Sequence, residues 1–353
     1  MEYKIDYEKS LERINAWYQG EIIDRPPVLM GMWAPPEKSF VEKEFLSESD
    51  RWMDVEYAID RYLSSLKNTT FVGDSFPVFM PNLGPSVYSA FFGADIVFEP
   101  FTSWLKPCIN DWSDLDKLKF DFNNIYFKRL EAMSKYAAEV GKGKFLLGYT
   151  DIHPGLDAVS AWRDPQELCY DLIDEPEMVV RAAEIATKPF AEMMEKFHTW
   201  TRGINNNLST SWMGLPFEGK MHIPSCDFAA MISNDQFEKF AMPALREEVK
   251  AVDFNVFHVD GKGVANHLEQ IMSLPNTNAL QWVQGDGETL PVMQWIPLLK
   301  RMREGGKSIM VYLKAAELDE FMEKMKPEGL LLNIGTNSDD ERNQIVEKVS
   351  KWS

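Results

Sequence analysis

The stretch FHVDGKG, Phe257 to Gly263, sets a histidine and an aspartate two residues apart at the end of an apolar run and follows them with a lysine between glycines. Side chains alternate across an extended strand, so His258 and Asp260 share one face while Phe257 and Val259 share the other. A strand buried on both faces reads as continuously apolar. Here one stripe turns polar at its carboxyl end, and a glycine then lets the chain leave. That is the pattern of a site at a strand terminus.

Seven further apolar runs share this character. They are PPVLMGMW (Pro26–Trp33), NTTFVG (Asn68–Gly73), KFLLGYT (Lys144–Thr150), MHIPSC (Met221–Cys226), ALQWV (Ala279–Val283), SIMVYL (Ser308–Leu313) and GLLLNIG (Gly329–Gly335). With NVFHVD (Asn255–Asp260) they number eight, the count that closes a (β/α)8 barrel. Between them lie helix starts. Asp164 precedes Pro165, with Glu167 in the first turn, and Ser233 with Gln236 and Ser338 with Glu341 are spaced as capping boxes. Ile345, Val346, Val349 and Trp352 fall on one face of the last helix, which should pack on the barrel. The proline-rich segment 76–112 is too long for an ordinary connection and is expected to be an elaborated loop over the barrel mouth. The expected architecture is α/β, one TIM-like barrel domain spanning residues 1–353.

Composition narrows the function. The 353 residues are 45% hydrophobic and carry a formal charge of −18, which disfavours nucleic acid and anionic membrane surfaces. Cys108, Cys169 and Cys226 have no metal-like spacing and read as reduced thiols. The charged start MEYKIDYEKS lacks the apolar core of a signal peptide, and no apolar run approaches membrane-span length. A cytoplasmic protein is expected.

Chemistry in such a barrel collects where strands meet the following loops. The third strand runs into Tyr149, Asp151 and His153, the fourth into Cys226 and Asp227, and the sixth into Gln281, Trp282 and Asp286. Met30, Met32 and Trp33 follow the first strand, Asn82, Tyr88 and Trp104 lie in the long segment, and Ser209, Ser211 and Trp212 precede the fourth strand. Asp151 could merely organise a turn. His198 and His222 read as structural, and His267 as a packed or partly exposed helix residue. Trp33, Trp104, Trp212 and Trp282 could be core, yet together near loop ends they suggest an aromatic-walled pocket. Asp260 is hardest to dismiss, because a carboxylate facing a barrel interior is costly unless paired, protonated or metal-bound. With His258 it could act as an acid–base pair or supply two zinc ligands.

YTDIHPGLDA (Tyr149–Ala158), SCDFAAMISNDQFEKFAMPAL (Ser225–Leu245) and FHVDGKGVANHLEQIMSLPNTNALQWVQGDG (Phe257–Gly287) resemble the uroporphyrinogen decarboxylase superfamily. The likeness is greatest to its decarboxylase-like branch, related to corrinoid-dependent methyltransferases, and it runs from the first strand to the last helix. It implies a single distorted (β/α)8 barrel. The true decarboxylases carry an arginine-bearing motif near the N-terminus. Here RPPVLMGMWAPPEKSF offers no arginine between Arg25 and Arg51, so a tetra-acid porphyrinogen would lack its cationic partners. The methyltransferase branch carries zinc on a His-x-Cys pair and a further Cys near the last strand. His258 falls on that histidine, Asp260 replaces the cysteine, and LLLNIGTNS has none. A harder site on His258, Asp260 and another carboxylate stays open, as does a metal-free one.

The expected function is therefore methyl transfer from a small methylated substrate to cobalamin on a separate corrinoid protein docking at the mouth. His258 and Asp260 would activate the methylated heteroatom or bind zinc. Tyr149, Asp151 and His153 would line the opposite wall. Trp33, Asn82, Trp104, Trp212 and Asp227 would shape the substrate pocket, with Gln281 and Trp282 at its border. A decarboxylase-type lyase acting on a small organic acid is the alternative, and a ligand-binding protein without turnover a third. The resemblance also suggests a homodimer.

Overall fold

The strand Phe254–Asp260 pairs on one side with Thr277–Val283 and on the other with Met221–His222, in parallel throughout. The ladder continues through Ser308–Lys314 and Leu330–Gly335 to Val28–Leu29, giving a six-stranded, all-parallel sheet. The computed structural model describes residues 1–31, 34–285 and 291–352. Helices separate consecutive strands, as parallel pairing requires. A further parallel pair joins Val78–Phe79 to Leu146–Leu147. Backbone bonds extend both sheets towards each other's neighbourhood, Asp74 N–H to Val28 O at 2.7 Å and Tyr149 N–H to Thr210 O at 3.2 Å.

The expected eight-strand ladder is therefore realised as six continuous strands and a separate pair among the described residues. The run Asn68–Gly73 is not a strand. The Asn68 and Thr69 amides donate to the Ser65 and Leu66 carbonyls at 3.1 Å each, so these residues finish the helix Val55–Leu66. The strand comes later, at Val78–Phe79, inside the segment read as a loop. That segment also holds a short helix, Val87–Ala90, and an antiparallel hairpin, Ile96–Phe98 with Ser103–Leu105. It is well packed: Leu83, Val87, Tyr88 and Phe91 are fully buried, and the Phe92 ring meets Trp162 edge-on at 4.8 Å.

Helix signals hold where they were read. Asp164 accepts from Gln166 N–H at 2.9 Å, ahead of Pro165. Ser233 and Gln236 form a reciprocal capping box. Ser338 accepts from Glu341 N–H at 3.2 Å, but the Glu341 carboxylate reaches the Asn337 amide instead of closing the box. The helix Asp339–Val349 buries Ile345 and Val349 as its periodicity requires. No helix among the described residues is long and apolar enough to cross a membrane.

The first strand is fixed by a buried ion network. Asp74, with no solvent exposure, accepts from Arg13 at 3.0 Å, from Arg25 at 2.5 Å and from the Val28 amide at 2.9 Å. Arg13 also forks onto Asp24, joining the helix Tyr7–Tyr18 to the same corner. Arg25 is thereby committed to structure and is not available to a substrate. Removing the central carboxylate leaves the buried Arg25 guanidinium without its carboxylate and Arg13 with Asp24 alone. Asp74→Ala should lower the unfolding free energy by about 3–5 kcal/mol, read by urea denaturation, and an unchanged midpoint would contradict this account.

A candidate histidine–carboxylate site at the carboxyl ends of the strands

The register of the sheet builds the floor of the site. His258 sits directly opposite Gln281 on the next strand, and Tyr312 opposite Asn333 two strands further on. Gln281 Oε1 can only accept, so the His258 Nδ1–H donates to it, and Gln281 Nε2–H donates to the Tyr312 hydroxyl at 2.8 Å. The Tyr312 hydroxyl also meets the Asn333 side chain. Burial raises the Tyr312 phenol above its ordinary value, and those two hydrogen bonds offset this only in part. A polar row thus crosses four adjacent strands and fixes the His258 tautomer, leaving Nε2 as its free acceptor. The Trp212 ring stands edge-on to the imidazole at 5.3 Å.

The glycines after Asp260 now have a reason. Gly261 takes a positive φ of 74°, and a side chain there would lie 3.2 Å from the Gly285 Cα. A Cβ on Gly263 would fall 2.5 Å from the Ala230 Cβ and 2.7 Å from its Cα. That close approach seats the 3-10 turn Asp227–Met231 on the helix Gly261–Ala265. His267 locks the contact: its Nε2–H donates to the Ala229 carbonyl at 2.9 Å and its ring stacks on Phe237 at 4.3 Å. Phe237 opens a π-helical turn, Phe237–Ala241. His267 is therefore a packed residue that holds Asp227 beside Asp260.

On the facing wall, His153 Nε2 lies 2.8 Å from Asp151 Oδ2, and Nδ1 lies 2.6 Å from Ser225 Oγ and 3.7 Å from Asp157 Oδ2. Asp157 accepts from the Asp227 and Phe228 amides at 3.0 Å each, capping the turn that carries Asp227. Burial alone would lower the His153 pKa, but Asp151 and Asp157 outweigh it and hold it well above the ordinary value. Burial also works to raise Asp151, yet His153 and His258 keep it below the usual carboxylate range. For Asp227 the same two histidines are outweighed. It keeps solvent access at the mouth, but the protein around it and the neighbouring Asp157 push it up to about 6, against the pull of the two histidines.

Donor atoms of Asp227, His258 and Asp260 lie within 4.8 Å of one another, as do those of His153, Asp157 and Asp227. Trp212, whose ring meets His258, also lines a cavity of about 810 Å³ whose walls include Tyr62, Phe76 and Phe79, with Asn82 and Asn333 among its polar edges; the donor residues themselves do not line it.

The structure thus brings together His258, Asp260, Asp151, His153, Asp227 and Gln281, with Trp212 and Asn82 at the adjoining cavity. Asn82 also accepts from the Gly84 amide at 2.8 Å and so shapes its own turn. Three expected residues are elsewhere. Tyr149 is buried, its hydroxyl bonding the Met221 carbonyl and its ring stacked on Phe197 at 5.6 Å. Trp282 follows Gln281 and so faces away from the site, packing on Trp295 at 5.0 Å. Trp104 lies on the hairpin and does not line the cavity. Met32, Trp33 and Asp286 lie outside the described residues. Sequence reading missed Tyr312 and Asn333, whose signal was a polar side chain late in an apolar strand, and Asp157 and Ser225, which only the turn geometry recruits. Among the other histidines, His198 meets Ser209 at 3.0 Å, and His222 pairs with the buried Glu248 at 3.2 Å.

No family model matches the sequence, and no curated protein matches it. Among solved structures, a methyltransferase from Methanosarcina mazei aligns with a TM-score of 0.62 over 97% of this chain and 98% of that one, at 11% identity. The chain shares the fold of that methyltransferase, and at such low identity its chemistry must be argued from its own residues.

Gly263→Ala tests the backbone contact on which the site rests. It should cost about 1–3 kcal/mol in urea unfolding, because a rigid neighbour must move. A variant as stable as the parent would show that the two segments do not touch as described.

Proposed function

We propose that this chain transfers a methyl group from a small methylated substrate to a corrinoid carried by a separate protein. The six-stranded sheet and the second parallel pair would be two arcs of one barrel of the uroporphyrinogen decarboxylase type. The observation that carries the reading is the convergence of Asp227, His258 and Asp260 beside an apolar-walled cavity at the carboxyl ends of the strands. The Asp260 side chain makes no capping bond to the helix it precedes.

The donor set fits a divalent cation such as zinc without thiolates: one imidazole whose far nitrogen is held by Gln281, and two carboxylates. When bound, zinc would supply Lewis acidity at the methylated heteroatom as that atom leaves. The chain's own residues orient and enclose. Gln281 and Tyr312 hold the His258 ring, Trp212 packs its edge, and the aromatic walls take the body of the substrate and exclude water.

A second reading has its own support. His153, protonated between Asp151 and Asp157, could serve as an acid without any metal, which is what a lyase acting on a small acid would need. The two readings separate in one assay. Zinc-loaded protein, cob(I)alamin and a panel of methylated ethers, amines and thiols should yield methylcobalamin, and His258→Ala should reduce the rate by roughly 10²–10³-fold, as loss of several kcal/mol of Lewis-acid stabilisation implies. Carbon dioxide release from small acids without cobalamin, and no methyl transfer, would favour the lyase instead.

A further inference from the structure

The cluster does not stop at Asp227, and we infer that it holds two divalent cations bridged by the Asp227 carboxylate, one on His258 and Asp260 and the other on His153 and Asp157. This deepens the reading above, which needs only the first cation. Asp227 is the member common to the two donor groups, each of which fits within 4.8 Å. A carboxylate has two oxygens and can give one to each ion, as in other two-metal sites, where the ions lie about 3.5–4 Å apart.

Each half is built alike. A metal-bound histidine normally donates its far N–H to a fixed acceptor, which sets the tautomer and the ring angle. His258 has Gln281 in that position, itself held by Tyr312. His153 has Asp151 at 2.8 Å, so Nδ1 faces Asp157 and Ser225. Cation binding at Nδ1 displaces a proton, and the Ser225 hydroxyl turns aside or joins the ion. Asp157 is held rigid by the Asp227 and Phe228 amides. It comes from the first turn of the helix Gly155–Arg163, so the facing halves stand on separate elements.

Charge points the same way. Asp151, Asp157, Asp227 and Asp260 bring four carboxylates to two imidazoles. One divalent ion with neutral histidines leaves two negative charges uncompensated, whereas two ions balance all four.

The test uses the full chain stripped with chelator, dialysed against zinc and counted by mass spectrometry, and in parallel loaded with Mn²⁺ for paramagnetic resonance. The wild type should take up close to two zinc ions, and the Mn²⁺ form should give the spectrum of a spin-coupled pair. His153→Gln, and separately the milder Asp157→Asn, should each drop uptake to one ion and return the six-line signal of isolated Mn²⁺. One ion in the wild type, kept in His153→Gln and lost in His258→Gln, would overturn the second site and leave the first intact. No specific uptake by the wild type would overturn both.

Discussion

The candidate site exists because two chain segments touch with almost nothing between their backbones. Gly263 lies against Ala230, and His267 fastens the same turn through the Ala229 carbonyl. That contact carries Asp227, from the end of one strand, against Asp260, from the end of the next. Like charges at this spacing repel, and the protein does not separate them. It surrounds them with two oriented imidazoles and caps Asp157 with backbone amides. A fold that pays for such crowding in stability places the return on it at the site.

The second constraint is the parallel register. Because His258 faces Gln281 and Tyr312 faces Asn333 across the ladder, a polar row forms at one level of an otherwise apolar sheet. A slip of one residue on any of these strands would turn its polar member outward. The buried Arg13–Asp74–Arg25 network guards one end of that register by tying the first strand to the first helix. It also commits the Arg25 guanidinium to Asp74 and the Pro26 carbonyl, away from any substrate.

Much of this was legible in the amino-acid order. The period of two put His258 and Asp260 on one face, Gly261 marked the exit, Asp151, His153 and Asp227 lay just past apolar runs, and Gln281 stood as the one polar residue within another. What failed had physical causes. Trp282 follows Gln281 and faces the other way, a distinction that one residue of phase decides, whereas Tyr149 shares the phase of Asp151 but is buried in the core with its hydroxyl on the Met221 carbonyl. Asn68–Gly73 has strand-like residues, yet the amides of Asn68 and Thr69 are taken by the preceding helix. Asp157 gave no local sign, because its role is to cap a turn some seventy residues away, at Asp227 and Phe228. Tyr312 and Asn333 were visible as polar residues in apolar strands, but only the register shows that they support His258.

The likeness to a methyltransferase extends over the whole chain and reaches the fold, while the donor atoms differ from the thiolate-rich set that the sequence resemblance implies. The central claim is that a cation is held here by nitrogen and oxygen alone. X-ray absorption at the zinc edge of the loaded protein tests it most directly. The account predicts a first shell of nitrogen and oxygen at about 2.0–2.2 Å with the outer scattering of imidazole, and no sulfur. A sulfur shell near ~2.3 Å would contradict it, because it would place the metal on a cysteine and away from Asp227, His258 and Asp260.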